Sequence, residues 1–246
     1  GGLKSLMVKK TLAKKEYQVS LEELLEAGCH FGHQGRRWNP KMEPYIYAKK
    51  AGVHIFDLEK TAAGLVKAMT FVRDLISQGK KIVFVGTKRQ AAEIVQEEAA
   101  KADLPFVNMR WLGGTITNWE QIKKGIARLA ELETKKQKGE LKIYTKKENV
   151  LFDREIDKLN RFVGGLRSLT ELPQAIFVVD VKKEIAAVRE ARAKGITVVA
   201  LVDSNADPDL VDYVIPGNDD AVRSIKLIVS KLAQAAQDGR ANQSKP

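Results

Sequence analysis

The chain has 246 residues, 44% of them hydrophobic, and 42 Lys and Arg against 31 Asp and Glu leave it a formal charge of +11. The hydrophobic share supports a real core and excludes a largely disordered chain. A single cysteine excludes an internal disulfide, and no run approaches the roughly eighteen apolar residues of a membrane-spanning helix.

The basic surplus is unevenly spread. Residues 1–20 hold five basic groups against one acidic, residues 101–150 eleven against six, and the last 46 residues five against seven. Separation of sign on this scale points to a polyanionic partner. Residues 1–19 are expected to form a basic N-terminal arm, with Lys4, Lys9, Lys10, Lys14 and Lys15 but without the apolar stretch of a secretory signal. Ser20 is placed to cap a short helix over Leu21–Ala27, with Glu23 at the capping-box position.

Cys29-His30-Phe31-Gly32-His33 gathers three potential metal ligands. A structural zinc site wants four, and no second cluster completes this one, so the favoured reading is packing and hydrogen bonding at a turn, with no metal. Gly28 and Gly32 would permit close approach there. The stretch Gly35–Tyr47 carries two prolines and a glycine and is read as extended or turned. Within it, Arg36, Arg37 and Lys41 surround Trp38, the interleaving of cations and a ring that suits RNA. The cations are read as phosphate contacts. The rings of Trp38 and Tyr45 are expected to pin the loop to the core, with stacking on a base as the alternative for Trp38.

Three near-continuous apolar runs read as strands covered on both faces: Lys81–Gly86, Ala175–Asp180 and Ile196–Asp203. Weaker strands are expected at Val53–Phe56 and Phe106–Asn108. Helical patterns follow over Arg89–Ala102 and Lys182–Lys194, and over Asp219–Ala236 after a short Tyr213–Ile215 run. Strands alternating with helices imply βαβ units, right-handed crossovers and a doubly wound parallel sheet. Val85–Gln90 falls at the C-terminal end of a strand, where such folds bind phosphates, yet neither a P-loop nor a dinucleotide fingerprint is present. Lys88 and Arg89 are therefore read either as nucleic-acid phosphate contacts or as a solvated helix start.

The sharpest local signal is Arg110–Trp119, with a cation, two indoles, a glycine pair and an amide in ten residues. Gly113-Gly114 allows a sharp turn or close approach. Arg110, Trp111 and Asn118 join the RNA-binding candidates, against the plainer reading of a helix entry with one buried Trp. Trp119, Ile122, Ile126, Leu129 and Leu132 mark one helix stripe, and Leu151, Ile156, Leu159, Phe162 and Val163 a second. Lys135–Glu140 is a turn between them, and Gly164-Gly165 closes the second helix. The expected organisation is an α/β domain at 20–110 and 166–236, an inserted antiparallel helical hairpin at 111–165, and a polar, frayed tail at 237–246. Asp203–Asp209 offers oxygen donors without EF-hand spacing and is read as Asx turns and helix caps. Nothing fixes a Ser-His-Asp geometry, so no catalytic residue is assigned.

Several of these segments, in order, resemble the bacterial-type protein-two family of the small ribosomal subunit. They are Leu24–His33, Trp38–Met42, Phe84–Arg89, Arg110–Gly114, Thr117–Trp119, Asp203–Pro208 and Ile215–Ala221. The likeness covers about residues 18 to 236. The chain departs from it in a longer basic arm, in Met109 where a histidine is often found, and in Cys29 where a small aliphatic is common. The resemblance implies a flavodoxin-like α/β domain with a coiled-coil hairpin, no enzyme activity and no cofactor. It also implies a cytoplasmic, ribosome-bound structural protein between head and body of the small subunit. Its partners would be the subunit's RNA, neighbouring proteins and ribosomal protein one, with no membrane and no small-molecule substrate. Two competing readings are an α/β enzyme taking a phosphorylated ligand at Thr87-Lys88 and a pure protein adaptor.

Overall fold

The computed structural model describes residues 17–243. Most of the expected basic arm therefore lies outside the described residues. Its last part is anchored: Tyr17 is buried, its hydroxyl donates to Asp238 Oδ2 at 2.9 Å, and its ring lies 5.5 Å from the Arg73 guanidinium.

Five parallel strands form the central sheet: β4 (Ile82–Val85), β5 (Phe106–Val107), β6 (Ala175–Val179), β7 (Thr197–Val202) and β8 (Tyr213–Pro216). Their order is β5-β4-β6-β7-β8, the order of flavodoxin-like doubly wound sheets. Alternate side chains go to opposite faces, as a pleated strand requires. Ile82, Phe84, Phe177, Val179, Val199 and Leu201 enter one core with α2 (Leu58–Ser77), α3 (Ala92–Lys101) and α7 (Val222–Gln243). Val83, Val85, Ile176, Val178, Val198, Ala200 and Val202 enter the other with α6 (Ile185–Ala193), α4 (Trp119–Gln137) and α5 (Lys146–Val163). Fully buried strand side chains such as Ile82 and Leu201 each contribute on the order of 1.5–3 kcal/mol by leaving water.

The strand at Val53–Phe56 exists but belongs elsewhere. As β3 it is the middle of a three-stranded antiparallel sheet with β1 (Phe31–Gln34) and β2 (Ile46–Lys50). That small sheet is tied to the carboxyl ends of the parallel strands, where Asn39 N–H donates to Ser204 O at 2.7 Å and Asn218 N–H to Cys29 O at 3.1 Å. Gly32 makes the approach possible, since a Cβ there would stand 2.9 Å from Ser204 Oγ.

Helix α2, twenty residues long, was not anticipated from the sequence. Asp57 caps it, and Thr61, Leu65, Ala68, Met69, Val72 and Ile76 bury a stripe along α7 and β8. Helix α7 runs past the expected end at Ala236 to Gln243, because Gly239 seats against Arg73 O and continues the packed face. The residues expected to fray are thus helical as far as Gln243. The short helix α1 (Leu21–Glu26) keeps only half of its expected capping box. Ser20 Oγ accepts from Glu22 and Glu23 N–H, while the Glu23 carboxylate pairs with Lys231 at 3.0 Å.

Helices α4 and α5 pack against each other, joined through a left-handed Gly139. Arg128 to Glu155 (3.0 Å) and Lys136 to Asp153 (2.7 Å) cross between them in antiparallel register. Thr145 and Glu148 form a complete capping box at the start of α5. The expected stripe on α5 is corrected at one position: Leu151 is 53% exposed, whereas Ile156 and Val163 are buried. Beyond Val163 the chain returns to the sheet edge, and Gly165 lies so close to Phe106 that a Cβ would meet its carbonyl at 2.2 Å.

Candidate nucleic-acid interface

The Arg110–Trp119 loop is built around an anion supplied by the protein itself. Glu190, on α6, accepts from Trp111 Nε1 (3.0 Å) and Gly114 N–H (2.9 Å) through one oxygen. Through the other it accepts from Ile116 N–H (3.0 Å), Thr117 N–H (3.1 Å) and Thr117 Oγ1 (3.0 Å). Gly114, at φ +92°, supplies the left-handed turn that aims successive N–H groups at one point. Burial works against the Glu190 charge, but the donors from Thr117, Trp111, Gly114 and Ile116 outweigh it and hold the carboxyl below its usual range.

This places Trp111 with the plainer reading of a buried helix entry rather than with direct contact to RNA. Trp111 and Trp119 are both 8% exposed and belong to the core. Arg110 and Asn118 stay exposed. Asn118 stands at the N-cap of α4 without a side-chain capping bond.

Lys88 sits at the end of β4 as expected, but it is turned inward. Its ammonium lies 2.7 Å from Asp219, 2.6 Å from Asp220 and 3.0 Å from Asp180. Burial opposes its charge, and Asp219, Asp220 and Asp180 overcome that and raise its pKa. Asp219 is pushed up to about 7 by its own burial and by Asp203 and Asp180, against the pull of Lys88. His33 joins the same group: Nδ1 is 2.9 Å from Asp203 Oδ1, the backbone N–H donates to Ser204 Oγ at 2.8 Å, and the His33 pKa is raised by the Asp203 hydrogen bond. His33, Asp203 and Asp219 place one ligand atom each within 4.8 Å of the others, so the Cys29–His33 segment contributes one potential metal ligand rather than three. Cys29 is buried, which pushes its thiol pKa up. His30 lies against Phe31 with ring centroids 3.9 Å apart.

The remaining candidates divide in the same way. Lys41 is exposed, yet Asp207 (2.8 Å) and Asp209 (2.7 Å) hold its ammonium, and Asp207 also caps the 3₁₀ turn at Pro208–Leu210. Trp38 is half-buried and meets the His54 ring edge-on at 4.8 Å. Arg36 and Arg37, in a 3₁₀ turn, and Arg89 are exposed and carry no ion pair among the described residues. Arg110 likewise has none. Arg89 follows β4, Arg110 follows β5, and Arg37 lines a cleft with Asp220 beyond β8. Three arginines therefore stand free around the carboxyl edge of the sheet, where doubly wound folds receive ligands, and Arg36 stands free beside Arg37 in the same 3₁₀ turn.

Residues 24–239 match the family described as Ribosomal protein S2. The chain belongs to the ribosomal protein S2 family. The Small ribosomal subunit protein uS2 of Roseiflexus castenholzii is 52% identical over 222 residues, spanning 90% of this chain and 84% of that protein. The protein of the same name from Coprothermobacter proteolyticus is 53% identical over 222 residues, 90% of this chain and 83% of its own length. Members of the S2 family are structural ribosomal proteins, not enzymes, which removes the reading of Thr87-Lys88 as an enzyme's ligand site. No helix among the described residues is long and apolar enough to cross a membrane.

Proposed function

We propose that the chain is a cytoplasmic structural component of the small ribosomal subunit, holding its RNA between head and body through backbone phosphates. The observation that carries this reading is the division of the cations. Lys41 and Lys88 are neutralised by the protein's own aspartates, while Arg36, Arg37, Arg89 and Arg110 are left without an ion pair among the described residues. Arginine forks bind phosphate bidentately and read little sequence, which suits a protein that recognises folded RNA by shape and charge. The lysines of residues 1–16 add to that footing. Trp38 and Asn118 are positioning contacts, and Trp111, Lys41 and Lys88 act indirectly by holding the loops that carry the arginines.

The organisation proposed is a basic arm at 1–19, an α/β domain at 20–110 and 166–236 that α7 extends to Gln243 through the expected tail, and a 111–165 unit acting as a coiled-coil hairpin that reaches a second surface of RNA or protein. Ile143 and Tyr144, 84% and 42% exposed near its turn, are in keeping with such a footing. Docking of ribosomal protein one belongs to the same proposal. It rests on the family resemblance alone.

Co-sedimentation of the full chain with small subunits at low and high salt tests the reading. Migration with the subunit that is lost as salt rises is the expected result. The double variant Arg36→Glu/Arg37→Glu should fail to enter subunits. Incorporation at the unaltered level would remove that turn from the interface.

A further inference from the structure

Two clefts flank the small antiparallel sheet, and they differ in charge. One, about 340 Å³, is lined by Gly32, His33, Gln34, Arg37, Val53 and Asp220, so a carboxylate faces its cations. The other, about 370 Å³, opens between the Gly35–Arg37 turn and the tip of the β2–β3 hairpin. Arg36 and Lys49 line it, with Gln34, Gly35 and the hairpin tip, and no carboxylate does.

Gly35 shapes the second cleft. A Cβ at that position would stand 2.7 Å from both Cε and Nζ of Lys49 and 3.4 Å from His54 Nε2, so the bare backbone lets the ammonium lie inward. Gly35 N–H donates to Gly52 O at 2.8 Å, which fastens the turn bearing Arg36 to the hairpin tip. The Lys49 ammonium has no ion pair or hydrogen bond among the described residues, and after burial it is the charge that lowers the His54 pKa. Two cations are thus held across a concave surface with nothing to neutralise them. Lys50 points to the opposite face, because neighbouring strand residues alternate and Lys49 pairs with His54 while Lys50 pairs with Val53.

We propose that the cleft between Arg36 and Lys49 is a seat for a single backbone phosphate of RNA. The proposal rests on the RNA-binding reading above and assigns that reading one site. Arg36 supplies the planar fork, Lys49 the point charge, and Gly35 the room for an oxygen to approach. Arg37 lies beside it in the neighbouring cleft and is exposed, so a flanking phosphate of a chain would meet a further cation that a free anion would leave unused.

The test is binding of the full-length chain to small-subunit particles stripped of this protein, with affinity followed as a function of salt. Lys49→Ala should weaken binding about tenfold and flatten the slope of log K against log salt by roughly 0.7–0.9, the loss of one phosphate contact. Lys50→Ala removes the same charge from the other face and should weaken binding less than about threefold. Gly35→Ala changes no charge and displaces only the flexible end of Lys49, and it should weaken binding as much as Lys49→Ala does. Equal effects of Lys49→Ala and Lys50→Ala, or an unaffected Gly35→Ala, overturn the seat and leave the wider RNA reading standing. If the unaltered chain shows no salt-sensitive binding, the wider reading fails and the seat fails with it.

Discussion

Glu190 and Trp111 are 79 residues apart in sequence and 3.0 Å apart in space, and their hydrogen bond closes the loop that looked most like a ligand cradle. The loop does bind an anion. The anion is a carboxylate of the next sheet-covering helix, fixed by five donors from four residues.

Replacing Glu190 by Ala should cost about 2–3 kcal/mol, because the N–H groups of Gly114, Ile116 and Thr117 lose their acceptor. Urea denaturation would show a lowered midpoint with an unchanged slope. Glu190→Gln keeps the shape but opposes an amide to those donors and should recover only part of the loss. The pH dependence follows from the depressed carboxyl. Its stabilisation is fully present above the unfolded value of about 4.3 and is lost as pH falls through the lower folded value. The unaltered protein should therefore lose more stability than Glu190→Gln as pH falls below about 4.

Lys88 and Arg89 are adjacent and should respond oppositely to truncation. Lys88→Met leaves Asp180 and Asp219 facing each other without their cation, and a loss of about 3–5 kcal/mol is expected. Arg89→Ala touches an exposed side chain, so the unfolding free energy should change by less than about 0.5 kcal/mol while binding to small-subunit particles weakens. A large stability loss from Arg89→Ala would place that side chain in the fold rather than at the interface.

Gly64 predicts a helix position where alanine is worse than glycine. It lies inside α2, where alanine would ordinarily add about 1 kcal/mol of helix propensity. A Cβ there would meet Val214 O at 2.4 Å, and that backbone belongs to β8. Gly64→Ala should instead destabilise by about 1–3 kcal/mol, since α2 must move away from the sheet. Thermal unfolding decides the sign.

These relationships also explain what the sequence could and could not reveal. Strands β4, β6 and β7 were legible because strands covered on both faces need unbroken apolar runs. Strands β1 and β2 were not, because they are short and largely exposed and carry no clean alternation. Helix α2 has a regular stripe from Thr61 to Ile76, but its Asp57 cap lies directly behind the β3 run, so no break in the sequence separates strand from helix. Arg36, Arg37, Arg89 and Arg110 could be picked out as cations from local context. The neutralisation of Lys41 and Lys88 could not, because Asp207 and Asp219 lie 166 and 131 residues away. A charge reads the same in sequence whether it faces water or a carboxylate.

The tip of the β2–β3 hairpin stores strain that can be removed. Lys50 pairs with Val53 across a two-residue loop in which Ala51 and Gly52 have φ of +49° and +80°. Positive φ at both positions is the signature of a type I′ turn, which favours Asn-Gly. Alanine at the first position costs roughly 1 kcal/mol through contact of its Cβ with the carbonyl, whereas asparagine tolerates this conformation better. Ala51→Asn should raise stability by about 0.5–1 kcal/mol, or some 2 °C in melting temperature for a chain of this size. An unchanged melting point together with slower amide exchange at Lys50 and Val53 would mean that the tip opens locally before the rest of the fold, with the strain released in that step.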